Sequence, residues 1–133
     1  MATTQEAVQI GAFVPTLTVD DLPKSIAFYE ALGFAIDERW EENGTLLGVM
    51  LRAGRTRLGL NQDDWQKGRD RKKGIGVRLS ISTPGSVDEI AKRAKNAGIT
   101  LKSEPHDTEW QSRAFELSDP SGFLLTVFSE ASA

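Results

Sequence analysis

Few side chains in this sequence could do chemistry, and their types narrow the choice at once. Cysteine is absent, which excludes disulfides, thiolate metal sites and cysteine nucleophiles. A single histidine, His106, excludes a zinc site built mainly of imidazoles within one chain. It lies in Glu104-Pro105-His106-Asp107, a turn-rich stretch where an exposed loop histidine is expected. No Ser-His-Asp arrangement can be argued from one histidine without a nucleophile elbow, and no glycine-rich phosphate loop is present. What remains is a charged pair, Arg78 and Glu116, and three tryptophans, Trp40, Trp65 and Trp110. None of the tryptophans falls in an apolar core pattern. An aromatic ring in a loop above a concave surface suits stacking on a planar ligand; packing within its loop or in a dimer interface is the plainer role.

The chain that must position these groups has 133 residues, 39% hydrophobic and 26% charged, which fits one soluble globular domain spanning 1–133. The net charge of −3 argues against a nucleic-acid partner. No apolar run approaches the roughly 18 residues of a membrane span. The opening Met1-Ala2-Thr3-Thr4-Gln5-Glu6 lacks the basic and apolar regions of a signal peptide. A cytoplasmic protein with no membrane partner is the expectation.

Two halves repeat one order of elements. Phe13, Pro15, Leu17 and Val19 alternate with Val14, Thr16 and Thr18, a strand pattern over 12–19, with Pro15 marking an edge or bulge. Asp20-Asp21-Leu22-Pro23 opens a helix, Ile26, Tyr29 and Leu32 continue its apolar face, and Gly33 ends it. Strands follow at about 35–40, 45–51 and 57–61, with turns at Asn43-Gly44 and Ala53-Gly54. The second half repeats this. Val77, Leu79 and Ile81 alternate with polar residues, Ser86-Val87-Asp88-Glu89 is a capping box, and Gly98 ends the helix. Strands at about 100–103, 113–118 and 123–129 complete the copy, the last two joined by Asp119-Pro120-Ser121-Gly122. The fold class is α+β: two tandem βαβββ modules, about 10–62 and 75–130, forming a curved mixed sheet around a cavity. Between them, 63–74 carries five cations and three carboxylates and reads as a solvated linker, with a phosphate-binding patch as the sharper alternative.

Two segments at the places the repeat requires are recognisable. Thr18-Val19-Asp20-Asp21-Leu22-Pro23-Lys24-Ser25-Ile26-Ala27-Phe28-Tyr29-Glu30-Ala31-Leu32-Gly33-Phe34 resembles the first-module signature of the glyoxalase I / bleomycin-resistance / extradiol dioxygenase (vicinal oxygen chelate) superfamily. Phe115-Glu116-Leu117-Ser118-Asp119-Pro120-Ser121-Gly122-Phe123 is similar to its second-module hairpin. The resemblance covers about 10–129. It implies a homodimer with cavities built from both chains. It also implies, for the superfamily's enzymes, a metal held by four residues, which fall here on Val14, Gly59, Gly76 and Thr126. None of these is a carboxylate, imidazole or thiolate, so no metal, no cofactor and no catalytic residue is expected. Gln62 is the only ligand-like residue near Gly59.

Strand parity places Val14, Thr16, Arg57, Gly59, Asn61, Gly76, Arg78, Ser80, Ala114, Glu116, Leu124, Thr126 and Phe128 on the face away from the helices, where glycines are expected to leave space. Trp110-Gln111-Ser112-Arg113 resembles a Trp-Gly-x-Arg segment of bleomycin-resistance-type members, with Gln111 in place of glycine. The ligand-binding candidates are therefore Thr16, Asn61, Trp65, Arg78, Trp110, Arg113, Glu116 and Thr126. The resemblance implies a metal-free protein that sequesters a planar or aromatic drug or natural product and so gives antibiotic resistance. The alternatives are a glyoxalase- or dioxygenase-type lyase or oxidoreductase with an unconventional metal held through Gln62, Glu116 or His106, and a non-catalytic interaction domain.

Overall fold

The alternation and helical spacing described above resolve into two copies of one unit in the computed structural model, which describes residues 7–130. The first unit is β1 (Thr16–Val19), α1 (Leu22–Ala31), β2 (Ala35–Glu42), β3 (Thr45–Ala53) and β4 (Thr56–Gln62). The second is β5 (Arg78–Thr83), α2 (Val87–Asn96), β6 (Ser103–Asp107), β7 (Arg113–Ser118) and β8 (Leu124–Ser129). Each forms a four-stranded mixed sheet, ordered β1-β4-β3-β2 and β5-β8-β7-β6. In each, the first strand runs parallel to the last, because the helix between them carries the chain back across one face. Among the described residues no helix is long and apolar enough to cross a membrane.

Both helices start where their caps dictate. The Asp21 side chain accepts from Lys24 N–H, with Pro23 in the first turn where its missing N–H costs nothing. The Ser86 hydroxyl accepts from Glu89 N–H, closing one arm of the capping box. Leu22, Ile26 and Tyr29 of α1 cover Val49, Leu51 and Leu60; Val87, Ala91 and Ala94 of α2 cover Phe115, Leu117 and Leu125, and all twelve are buried. The helices sit side by side, and Arg93 of α2 donates to the carbonyls of Ala31 and Glu30, a cation at the negative C-terminal end of α1.

The two signature segments interlock across the module boundary. Tyr29 Oη donates to Asp119 Oδ2 at 2.8 Å, with both residues buried. The other Asp119 oxygen accepts from the backbone of Ser121 and Phe123, at 2.9 Å each, and shapes the β7–β8 turn. Asp20 N–H donates to Ser121 Oγ. Burial, with the charge and hydrogen bond of Asp119 behind it, pushes the Tyr29 hydroxyl far above the usual tyrosine value.

Four expectations need correction. Residues 63–74 are not simply solvated: the side chains of Asp63 and Lys73 are each only 4% exposed. Lys73 bonds Asp63 at 2.8 Å and also Asp20, while Arg71 stands 3.4 Å from Asp63. Burial opposes the Lys73 charge, but the two carboxylates together outweigh it and raise its affinity for the proton. The sixth strand lies at Ser103–Asp107 rather than 100–103, so His106 is a strand residue on a sheet edge and not a loop residue. β2 runs on to Glu42, two residues past the expected end at Trp40. Phe13 lies outside β1 and is 91% exposed, because the strand starts only after Pro15.

Candidate functional site

The register of the two sheets lays out the surface opposite the helices as rows. In the first sheet one row reads Trp40, Gly48, Asn61, Thr18, and the next reads Glu38, Met50, Gly59, Thr16. In the second sheet Ser80, Thr126, Glu116 and Ser103 form a row, flanked on one side by Arg78, Leu124 and Ser118. On its other side lie Ser82, Phe128, Ala114 and His106.

Arg78 and Glu116 do meet. Their strands flank β8, and the guanidinium reaches across Leu124 and Thr126 to stand 3.6 Å from the carboxylate. That separation is too long for a good hydrogen bond, and the side chains are 58% and 32% exposed, so the pair is weak and open to a competitor. Beneath it, Thr126 Oγ1 is buried with no hydrogen-bond partner among the described residues. An orphan hydroxyl of this kind costs about 1–3 kcal/mol.

Thr16 and Asn61 lie on the same face, but they remove the space that the glycines were expected to leave. A Cβ on Gly59 would sit 2.8 Å from Thr16 Oγ1, and one on Gly48 only 2.5 Å from Asn61 Oδ1. Each glycine is a seat for its neighbour's side chain. Gly76 precedes β5 and has nothing within 4 Å of where its Cβ would be.

Three candidates are placed elsewhere. Trp65 is engaged by its own segment: the Arg69 guanidinium and the Lys73 ammonium both lie 5.0 Å from its ring centre, and its backbone N–H donates to Asp63. Arg113 shares the helix side of β7 with Phe115 and Leu117, where it bonds Asp88 at 2.7 Å and Asp107 at 3.1 Å. The Arg113 hydrogen bond holds the Asp88 carboxyl below the ordinary range. Trp110 stands 75% exposed on the loop before β7, and Gln111 beside it has φ of 61°, the conformation that glycine accommodates most cheaply. Residues the candidate set lacked are Trp40, whose ring edge leans over Gly48, and Arg57 on β4. The strand parity of Arg57 was a sufficient signal for its face.

A family model described as Glyoxalase/Bleomycin resistance protein/Dioxygenase superfamily matches residues 9–127. The chain belongs to this superfamily. Among curated proteins no significant relative is found. Many solved structures share the superfamily fold with it. A hypothetical protein, SA1046 from S. aureus, superposes with a TM-score of 0.71 at 22% identity, covering 92% of this chain and 96% of the other. TioX from Micromonospora sp. ML1 gives 0.70 at 20% identity, with 92% and 98% covered. A glyoxalase/bleomycin resistance protein/dioxygenase from Nocardioides gives 0.65 at 20% identity, with 96% and 88% covered. At such identities the likeness establishes the fold and no activity.

The superfamily's metal site does not fit this chain. Of the four positions to which the resemblance assigns ligands, Val14 and the two glycines carry no donor, and Thr126 has one neutral hydroxyl. Gln62, the nearest substitute, is fully employed. Its Oε1 accepts from Leu22 N–H at 2.9 Å and its Nε2 donates to the Asp20 carbonyl at 2.8 Å, so the side chain pins the start of α1. Among the described residues no three of His, Asp or Glu converge.

Proposed function

We propose that this chain is a small-molecule-binding protein of the bleomycin-resistance type, which takes up a planar or aromatic drug or natural product without a metal. It works as a cytoplasmic homodimer, and antibiotic resistance is the role that follows. The observation that carries this reading is the loose Arg78–Glu116 pair on the helix-free face above the unsatisfied Thr126 hydroxyl. A polar anchor held half-open is what recognition by affinity alone requires. Thr16 and Asn61 shape the neighbouring surface, and Trp110 supplies an exposed ring at the end of the same sheet.

The test is a tryptophan-fluorescence screen of aromatic compounds, followed by calorimetric titration of a hit. Arg78→Ala is expected to weaken binding by about tenfold or more, the value of one lost charge-assisted hydrogen bond. Lys72→Ala, an exposed change, is expected to leave it unaltered. Equal affinities for the two variants would remove the ligand from this face. One tightly held metal per chain, lost together with a specific activity, would overturn the metal-free reading, and a single-chain mass by light scattering at micromolar concentration would overturn the dimer.

A further inference from the structure

A slot opens between the two sheets, where β4 and the start of β1 face β5. Its volume is about 340 Å³, at the low end of the ~300–1,000 Å³ usual for small-ligand sites. The floor is apolar: Pro15 from the first module and Leu79 and Ile81 from the second, all half-buried, line it. The mouth is different. Arg57 comes from the first module and Arg78 from the second, and among the described residues no carboxylate lines the slot. Each arginine has its carboxylate outside it. Asp37 on β2 bonds Arg57 at 2.5 Å and also stands 3.8 Å from Arg52, which leaves one negative charge beside two cations. Glu116 on β7 holds Arg78 only at 3.6 Å. Both arginine side chains keep much of their surface exposed, 43% for Arg57 and 58% for Arg78.

An apolar floor under two cations from opposite walls selects for one kind of molecule. Resting on the small-molecule-binding reading above, we propose that the slot takes an amphipathic organic anion: a body of one or two rings set on Pro15, Leu79 and Ile81, and a carboxylate or sulfonate held between Arg57 and Arg78. The oxygens of a carboxylate or sulfonate accept paired N–H bonds from a guanidinium, which a neutral analogue lacking them cannot do. Because each module supplies one arginine, the head group would also bridge the two modules.

The experiment compares two fluorescent probes with the same ring skeleton, anionic anilinonaphthalene sulfonate and neutral N-phenylnaphthylamine, on the full chain at low salt. The expected result is binding of both, with the anion about tenfold tighter. Arg57→Gln and Arg78→Gln should each reduce that preference several-fold without altering the neutral probe, while Lys72→Gln changes neither probe. Thermal unfolding by circular dichroism confirms that the variants are folded. Equal affinity for the two probes in the unmodified protein would refute anion selection while keeping small-molecule binding. Binding of neither would refute both. A preference that falls with Arg78→Gln but not with Arg57→Gln would place the anion on the second module alone and refute the slot.

Discussion

Tyr29→Phe removes one oxygen atom and one hydrogen bond, and the structure says how much that bond is worth. The ring is fully buried, and it keeps its edge-on contacts with Phe28 and Phe34, at 5.0 and 5.8 Å between ring centres. The phenylalanine variant therefore loses little packing. It loses a 2.8 Å bond to a buried carboxylate, and bonds to charged groups contribute about 1.5–3 kcal/mol. Asp119 keeps two backbone donors on its other oxygen, so it is not left wholly unpaired. About 2 kcal/mol is the expected loss, which for a chain of this length lowers Tm by about 6–10 °C. Urea unfolding followed by circular dichroism measures it, and a double-mutant cycle with Asp119→Asn isolates the pair. Coupling of about 1–2 kcal/mol is expected. A loss below about 0.5 kcal/mol at unchanged m-value, or strict additivity in the cycle, would show that this bond does not hold the modules together.

Tyr29 is the only tyrosine, so its ionisation can be followed by absorbance. With its folded-state pKa raised, its contribution is complete below about pH 10, the unfolded value, and is lost as pH climbs further; phenolate should appear only with unfolding. Gly74→Ala would place a Cβ 2.4 Å from the Gly122 carbonyl at a φ of 82°, and a loss of about 2–4 kcal/mol in denaturant titration is expected. Lys73→Ala should lower Tm clearly where Lys72→Ala does not, because only Lys73 is buried against Asp63 and Asp20. The hydrogen bonds from Lys73 and from Trp65 N–H hold the Asp63 carboxyl below its ordinary value. Its contribution is thus present above about pH 4 and lost in more acid solution, and Lys73→Ala should flatten that acid limb of a stability-against-pH curve.

The order of elements was legible because each core position lies on a regular period: Leu17 and Val19 on one face of a strand, Ile26 and Tyr29 on one face of a helix. The face of Arg78 and Glu116 followed from the same alternation. Where the reading failed, a non-local or edge effect overrode the local signal. Pro105, His106 and Asp107 look like a turn, yet such residues are also what guards an edge strand from pairing with another chain. The charges of 63–74 find partners up to 53 residues away, and nothing in a local window signals that. Glycine at a position facing the ligand side suggests room, but whether room exists depends on the neighbour, and Thr16 and Asn61 lean into it. Arg113 is instructive in the other direction: parity alone groups it with Phe115 and Leu117, and only the resemblance drew it towards the ligand.

The ion cluster in which Lys73 and Asp63 are buried beside the exposed Asp20 bears on how this chain would be cut. Lys67, Arg69, Arg71, Lys72 and Lys73 make the connecting segment the densest run of tryptic sites in the sequence. A protease must draw several residues on either side of the scissile bond into an extended shape. Around Lys73 that means pulling an ammonium off two carboxylates and prising Gly74 from the Gly122 backbone. Limited trypsin should therefore nick near Lys67 and Arg69, whose side chains are exposed, and leave the two fragments bound to one another through Tyr29 and Asp119. A chain severed there would still run as one particle in a native gel.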